Sequence, residues 1–186
     1  GAEYLLITPG NYGADFIRRK ELSEALDAEH SMKCSNYVGE TLDMAVSLGA
    51  KGILFIAHIG KFIKVSGGIM NTHSAQADCR AELMAAQTLR ALENGKAGQE
   101  LIAKTDIPAL AAQLLAANTT EEAVGILREQ NLLEAVMAET LERIHYYLQK
   151  RCQGMLETEV VLFSNQYGYL GETKGAQCMM EAIIAQ

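Results

Sequence analysis

The sequence predicts an α/β domain with a Rossmann-like, mostly parallel sheet flanked by helices. Three observations predict it. Short apolar runs alternate with amphipathic stretches over the first sixty residues. Glycine- and asparagine-rich segments follow each apolar run. A helical segment then separates this part from the last apolar run, Glu159 to Phe163 (EVVLF).

Taken in order, Glu3 to Thr8 (EYLLIT) is short, apolar and stopped by Pro9-Gly10, and reads as the first strand. A helix should run from Ala14 to Leu26, with Phe16, Ile17, Leu22 and Leu26 on one face. Ser31 to Cys34 is a second, weaker strand. Ser35 or Asn36 can cap the next helix, which turns Val38, Leu42, Ala45 and Val46 inward and ends at Gly49. Gly52 to Ala57 (GILFIA) has no alternation and reads as a strand buried on both faces. Strand, helix, strand, helix, strand in this order implies parallel pairing through right-handed crossovers.

The centre is helical. Ser74 to Leu92 carries an Ala-rich stripe and stops at Asn94-Gly95. Asp106-Ile107-Pro108 starts a helix with Pro in its first turn. Thr119-x-x-Glu122 is a capping box, and Asn131-x-x-Glu134 opens a long helix that buries Leu133, Val136, Met137, Leu141, Ile144 and Leu148. That helix packs internally or against a second copy of the chain, so a homo-oligomer stays open. No repeat or linker divides residues 1–186, which read as a single domain.

Bulk properties narrow the function. The 186 residues are 49% hydrophobic and carry a net charge of −7, with a pI near 5.1. That balance argues against nucleic acid or an anionic membrane surface as the partner. No apolar run reaches the roughly 20 residues that span a bilayer, and Gly1-Ala2-Glu3-Tyr4 has no basic signal-peptide region. Cys34, Cys79, Cys152 and Cys178 are scattered without metal-ligand spacing, as expected of free thiols in a cytoplasmic protein.

The densest chemistry lies in His58 to Ser74 (HIGKFIKVSGGIMNTHS). It holds two of the four histidines, two lysines, three glycines and an Asn-Thr-His-Ser cluster directly after a buried strand. Ligands of open parallel sheets bind beyond the carboxyl ends of the strands. Pro9 to Gly13, Cys34 to Asn36, His58 to Lys61 and Ser164 to Gly168 should therefore share one edge. The turn Thr8-Pro9-Gly10-Asn11-Tyr12-Gly13 lets backbone N–H groups approach a ligand. It is not GxGxxG, and Lys33-Cys34 stands where a dinucleotide fold has its ribose-binding acid, which disfavours a nicotinamide enzyme. Lys61, Lys64 and His58 beside Gly67-Gly68 suggest a cationic pocket for a polycarboxylate or phosphate. Thr72 and Ser74 are read either as a helix cap or as ligand contacts. No GxSxG elbow supports a hydrolase, and no carboxylate or Cys spacing around His58 and His73 supports a metal. Asp78, Arg80 and Glu82 read as an ion-pair face, and His30 and His145 as structural.

The segment HIGKFIKVSGGIMNTHSAQADCRAE, from His58 to Glu82, resembles the hallmark of the CbiD family of cobalamin biosynthesis. TPGNYG (Thr8 to Gly13) and SNYVGETLD (Ser35 to Asp43) resemble it in order and spacing. The likeness is dense from Leu5 to Glu82 and rests on arrangement afterwards. It implies a cobalt-precorrin-5B C1-methyltransferase that uses S-adenosylmethionine. It further implies Thr8, Gly10, Asn11, Gly13 and Asn36 as contacts for the methyl donor. Lys61, Lys64, Asn71, Thr72, Ser74 and Arg80 would hold the cobalt-precorrin tetrapyrrole. His58 or His73 would remove a proton or steady charge. Family members also carry an N-terminal half whose opening motif is absent here, so the chain resembles the C-terminal part of a longer protein. The competing reading is a ligand- or partner-binding half whose chemistry depends on that N-terminal half. A third is an unrelated α/β ligase or transferase that shares only the glycine loop.

Overall fold

A computed structural model of the chain describes residues 3–186. Gly1 and Ala2, at which the absence of a signal peptide was read, lie outside the described residues. Five strands form one sheet in the order β2-β1-β3-β4-β5. These are β1 (Tyr4–Thr8), β2 (Met32–Lys33), β3 (Gly52–His58), β4 (Glu157–Ser164) and β5 (Gly168–Glu172). β1 to β4 are parallel and β5 is antiparallel to β4. The expected mostly parallel α/β architecture is therefore the one observed.

β3 is central because Gly52 to Ala57 can be buried on both faces. Side chains then alternate between two cores. Ile53, Phe55 and Ala57 face the larger one, made with α2 (Val38–Ser47), α4 (Arg80–Glu93), α6 (Ile107–Ala116), α7 (Thr120–Glu129) and α8 (Leu133–Cys152). Leu54 and Ile56 face the smaller one, made with α1 (Asn11–Arg18) and α9 (Ala176–Ile184), where the Phe16 and Phe163 rings stack 4.3 Å apart. α8 buries Val136, Met137, Leu141, Ile144 and Leu148 within the chain, as its periodicity predicts, while Leu133, in the first turn, is only partly buried.

Several boundaries differ from expectation, each for a local reason. α1 stops at Arg18 rather than Leu26, because Lys20 adopts φ 58° and its ammonium takes the carbonyls of Glu24 and Leu26. Leu26 is still buried, from a loop. Neither Ser35 nor Asn36 caps α2. Ser35 sits at φ 53°, and Asn36 turns to Thr72 instead. α4 begins at Arg80 and not at Ser74, with Cys79 before it, so Thr72 and Ser74 do not cap it. Asp106 and Thr119 do cap α6 and α7, by accepting from Ala109 N and Glu122 N. The Glu122 carboxylate accepts from Asn118 N, one residue short of the reciprocal box. Asn131 does not cap α8. At φ 56° it terminates α7. The short α5 (Gln99–Lys104), β5 and α9 were not expected: β5 carries two glycines and has no alternating run.

Candidate functional site

Strand order sets the location of the site. The chain steps outward from β1 to β2 and then returns to the other side as β3, so the connections diverge between β1 and β3. At the carboxyl ends of β1, β3 and β4 lies a cleft of about 370 Å³. Its walls are Pro9 and Tyr12 from the first loop, and His58, Gly60 and Lys61 from the start of α3 (Ile59–Phe62). Arg80 at the head of α4, the first turn of α7, and Asn165-Gln166 after β4 complete it.

Gly10 and Gly13 are both needed, for different reasons. Gly10 has φ 112°, and Lys61 Nζ lies 3.3 Å from where a Cβ would stand. Gly13 is buried, and a Cβ there would come within 2.6 Å of the Ile56 carbonyl and 2.8 Å of Thr8 Cβ. Gly13 therefore seats α1 on the sheet, while Gly10 lies at the cleft. Thr8 is buried beneath this turn. Its carbonyl accepts from Gly10 N and Cys34 N, and its hydroxyl has no partner. Asn11 is exposed and accepts from Lys33 Nζ at 2.7 Å.

Lys61 is half-buried and donates to the Ser35 carbonyl at 3.3 Å, which draws the β2–α2 loop toward the edge. Burial first, and then the charge of Lys64, holds its pKa below 10.5 despite the opposing pull of Cys34. Lys64, expected beside it, is 2% exposed and donates to the Thr72 carbonyl at 3.1 Å. Burial and then Arg80 lower its pKa.

The second half of the polar segment goes elsewhere. Asn71 pairs with Tyr37 through an antiparallel bridge. Thr72 is buried, donating from its N–H to the Asn36 carbonyl at 2.9 Å and from its hydroxyl to Asn36 Oδ1 at 3.3 Å. His73 and Ser74 are exposed and do not line the cleft with His58. Arg80 lines it while donating from Nε to Asp78 at 2.9 Å.

His58 lies over the cleft floor. Its Nδ1 accepts from Gly60 N at 3.0 Å, which caps α3, and its Nε2 lies 3.0 Å from Glu121 Oε1. Tyr12 and Phe163 rings flank it at 5.6 and 5.5 Å. Burial lowers its pKa below 6.5, partly offset by Glu121. Glu121 also accepts from Asn165 N at 2.9 Å and from the Ser164 hydroxyl. Burial raises its pKa, but the donors Ser164, Asn165 and His58 outweigh it and hold the carboxyl below 4.5. Sequence reasoning missed Glu121. It stands beside the capping-box Glu122, and two successive acids in a first turn read as ordinary dipole complements. Tyr12 was missed as well, inside the quoted TPGNYG turn.

Among the described residues no group of three or more His, Cys, Asp or Glu is placed to hold a metal, and no helix is long and apolar enough to cross a membrane. All four cysteines are free thiols. No solved structure matches the chain.

The chain is 41% identical over 163 residues to the cobalt-precorrin-5B C(1)-methyltransferase of Ruminiclostridium cellulolyticum, covering 88% of this chain and 38% of that protein. To the protein of the same name from Alkaliphilus metalliredigens it is 35% identical over 97% of this chain and 44% of the relative. To that of Methanocaldococcus jannaschii it is 37% identical over 83% and 38%. The chain thus spans about two-fifths of the length of these curated relatives. The family model described as CbiD, C-terminal domain, matches residues 71–174. That span carries α4 to α8, β4 and β5, where beyond Glu82 the sequence likeness rests on arrangement, as well as Arg80 and Glu121 of the cleft. With over half of its length inside that match, the chain belongs to the CbiD family through the C-terminal domain.

Proposed function

We propose that this domain is part of an S-adenosylmethionine-dependent methyltransferase that acts on C1 of cobalt-precorrin-5B in cobalamin biosynthesis. One observation carries the reading: a single cleft, at the point where strand connections diverge, gathers Tyr12, His58, Lys61 and Arg80 beside the Gly10 turn in a chain whose relatives bear that name. The chemistry of the residues fits the two ligands. The open Gly10 turn with its unpaired Thr8 hydroxyl below suits the methyl donor, together with Asn11, Gly13 behind the turn, and Asn36. Lys61 and Arg80 suit the carboxylates of a tetrapyrrole rim. The family resemblance adds Asn71, Thr72, His73 and Ser74, which lie outside the cleft lining, with Lys64 supporting Thr72 from below.

When bound, the methyl donor supplies an electrophilic methyl group, and holding both reactants in line supplies most of the acceleration. The chain's part is to orient. Lys61 and Arg80 fix an anionic rim, Tyr12 walls off the mouth, and His58 presents a neutral ring across the floor. The reading places the protein in the cytoplasm, where four unpaired thiols stay reduced.

A second reading is favoured by the two-fifths coverage of the relatives: the domain binds while chemistry depends on a further N-terminal part of the polypeptide. Calorimetry of the 186-residue chain with S-adenosylhomocysteine separates the two. Saturable binding supports the first, and a folded chain that takes up no S-adenosylhomocysteine supports the second.

A further inference from the structure

We propose that Glu121 is the positioning residue of the cleft, acting through His58. It holds the imidazole as the Nε2–H tautomer with both ring nitrogens committed, so that His58 is a fixed wall and not the group that takes a proton. Its link to catalysis rests on the methyltransferase reading; its geometry does not.

The argument starts from hydrogen-bond direction. A ring nitrogen that accepts from an N–H carries no proton itself. Nδ1 accepts from Gly60 N at 3.0 Å, so the proton of the neutral ring is on Nε2 and is donated to Glu121 Oε1, 3.0 Å away. The pair is largely shielded, at 15% and 23% side-chain exposure, which strengthens a charge-assisted bond. The carboxylate takes two further donors, Asn165 N on the same Oε1 and the Ser164 hydroxyl on Oε2. Ser164 Oγ in turn accepts from Gln166 N at 3.2 Å and Tyr167 N at 2.9 Å. One carboxylate thereby ties together the end of β3, the first turn of α7 and the β4–β5 turn, three of the elements that line the cleft.

Taking a proton at Nδ1 would place two N–H groups face to face and break the cap of α3. Lys61 lies in that same turn. Glu121 from α7 and Tyr12 from α1 stand at the ring, and Lys61 from α3 and Arg80 from α4 line the same cleft.

Nitrogen-15 NMR of the imidazole in the 186-residue chain tests this. In the wild type, Nε2 should carry the proton and Nδ1 should be bare at neutral pH. In Glu121→Gln the tautomer preference should weaken and the titration midpoint should fall, since the carboxylate favours the charged ring. Affinity for S-adenosylhomocysteine should drop about tenfold, as expected for losing a charged acceptor. A protonated Nδ1 in the wild type, or an unmoved midpoint in Glu121→Gln, overturns the proposal, as does an unchanged affinity where the wild type binds. If Glu121→Gln fails to fold, the wild-type tautomer still decides, with Ser164→Ala expected to preserve it and a tautomer change there counting against Glu121. A wild type that binds no S-adenosylhomocysteine favours the second reading, in which the methyl-donor site needs a further part of the polypeptide, while the ring measurement still judges the tautomer.

Discussion

Two halves of one seventeen-residue segment have opposite fates. His58 to Lys61 turns into the cleft, capped on itself and tied to α7. Asn71 to Ser74 turns outward and fastens the start of α2, through Thr72 and Asn36. In sequence the second is the more polar, with NTHS against HIGK. What separates them is the strand: the first half inherits the position of β3's end, whereas the second follows a short α3 and a 3-10 turn at Val65 to Gly67 that carry it away. Polar density marks a segment where backbone carbonyls and side chains must pair, and only topology says whether the pairing serves a ligand or the fold.

The sharpest way to break the comparison is to remove the tie of the inner half. Glu121→Ala leaves His58 Nε2–H, the Ser164 hydroxyl and Asn165 N–H without their acceptor and should cost about 2 kcal/mol in urea unfolding. A loss below about 0.5 kcal/mol would mean that water replaces the carboxylate without penalty. Next in size, Lys61→Ala should weaken binding of a polycarboxylate tetrapyrrole about tenfold, a typical loss for a charged hydrogen bond. The melting temperature should hold; unchanged affinity removes Lys61 from the site. For the outer half, Thr72→Val keeps the volume and removes one buried hydroxyl, which should cost about 1 kcal/mol in urea unfolding.

A gentler effect follows from pH. The folded pKa of His58 lies below its ordinary 6.5, so the unfolded chain takes up the proton first. His58's contribution is complete above pH 6.5 and declines as pH falls through the folded value. The lowered carboxyl of Glu121 adds a loss in the same direction below pH 4.5. Denaturation midpoints measured from pH 7.5 to 4 should fall on acidification, and a rise would contradict both shifts. Smallest of all, His73→Ala should change stability by less than about 0.5 kcal/mol, because the side chain is exposed, and should not alter affinity for the methyl-donor product.

Much of this was legible in the sequence where one residue type dictates one geometry. The unbroken apolar run Ile53 to Ala57 can only be central, Pro108 sits in a first turn, and Gly10 opens a loop at a strand end. What was not legible depended on distant partners. Glu121 is 63 residues from His58, and nothing local distinguishes it from Glu122. Ser35, Asn36, Thr72 and Ser74 have the composition of caps, yet Thr72 and Asn36 satisfy each other across 36 residues. Local capping rules lose wherever a tertiary acceptor is available.

Lys61 and Lys64 lie three positions apart yet face different worlds. One stands half-buried at the cleft, where a reagent can reach its amine. The other is shut beneath the Thr72 carbonyl. An amine-reactive label applied briefly should therefore modify Lys61 long before Lys64. The slow appearance of label on Lys64 would then clock how often the loop above it breathes open.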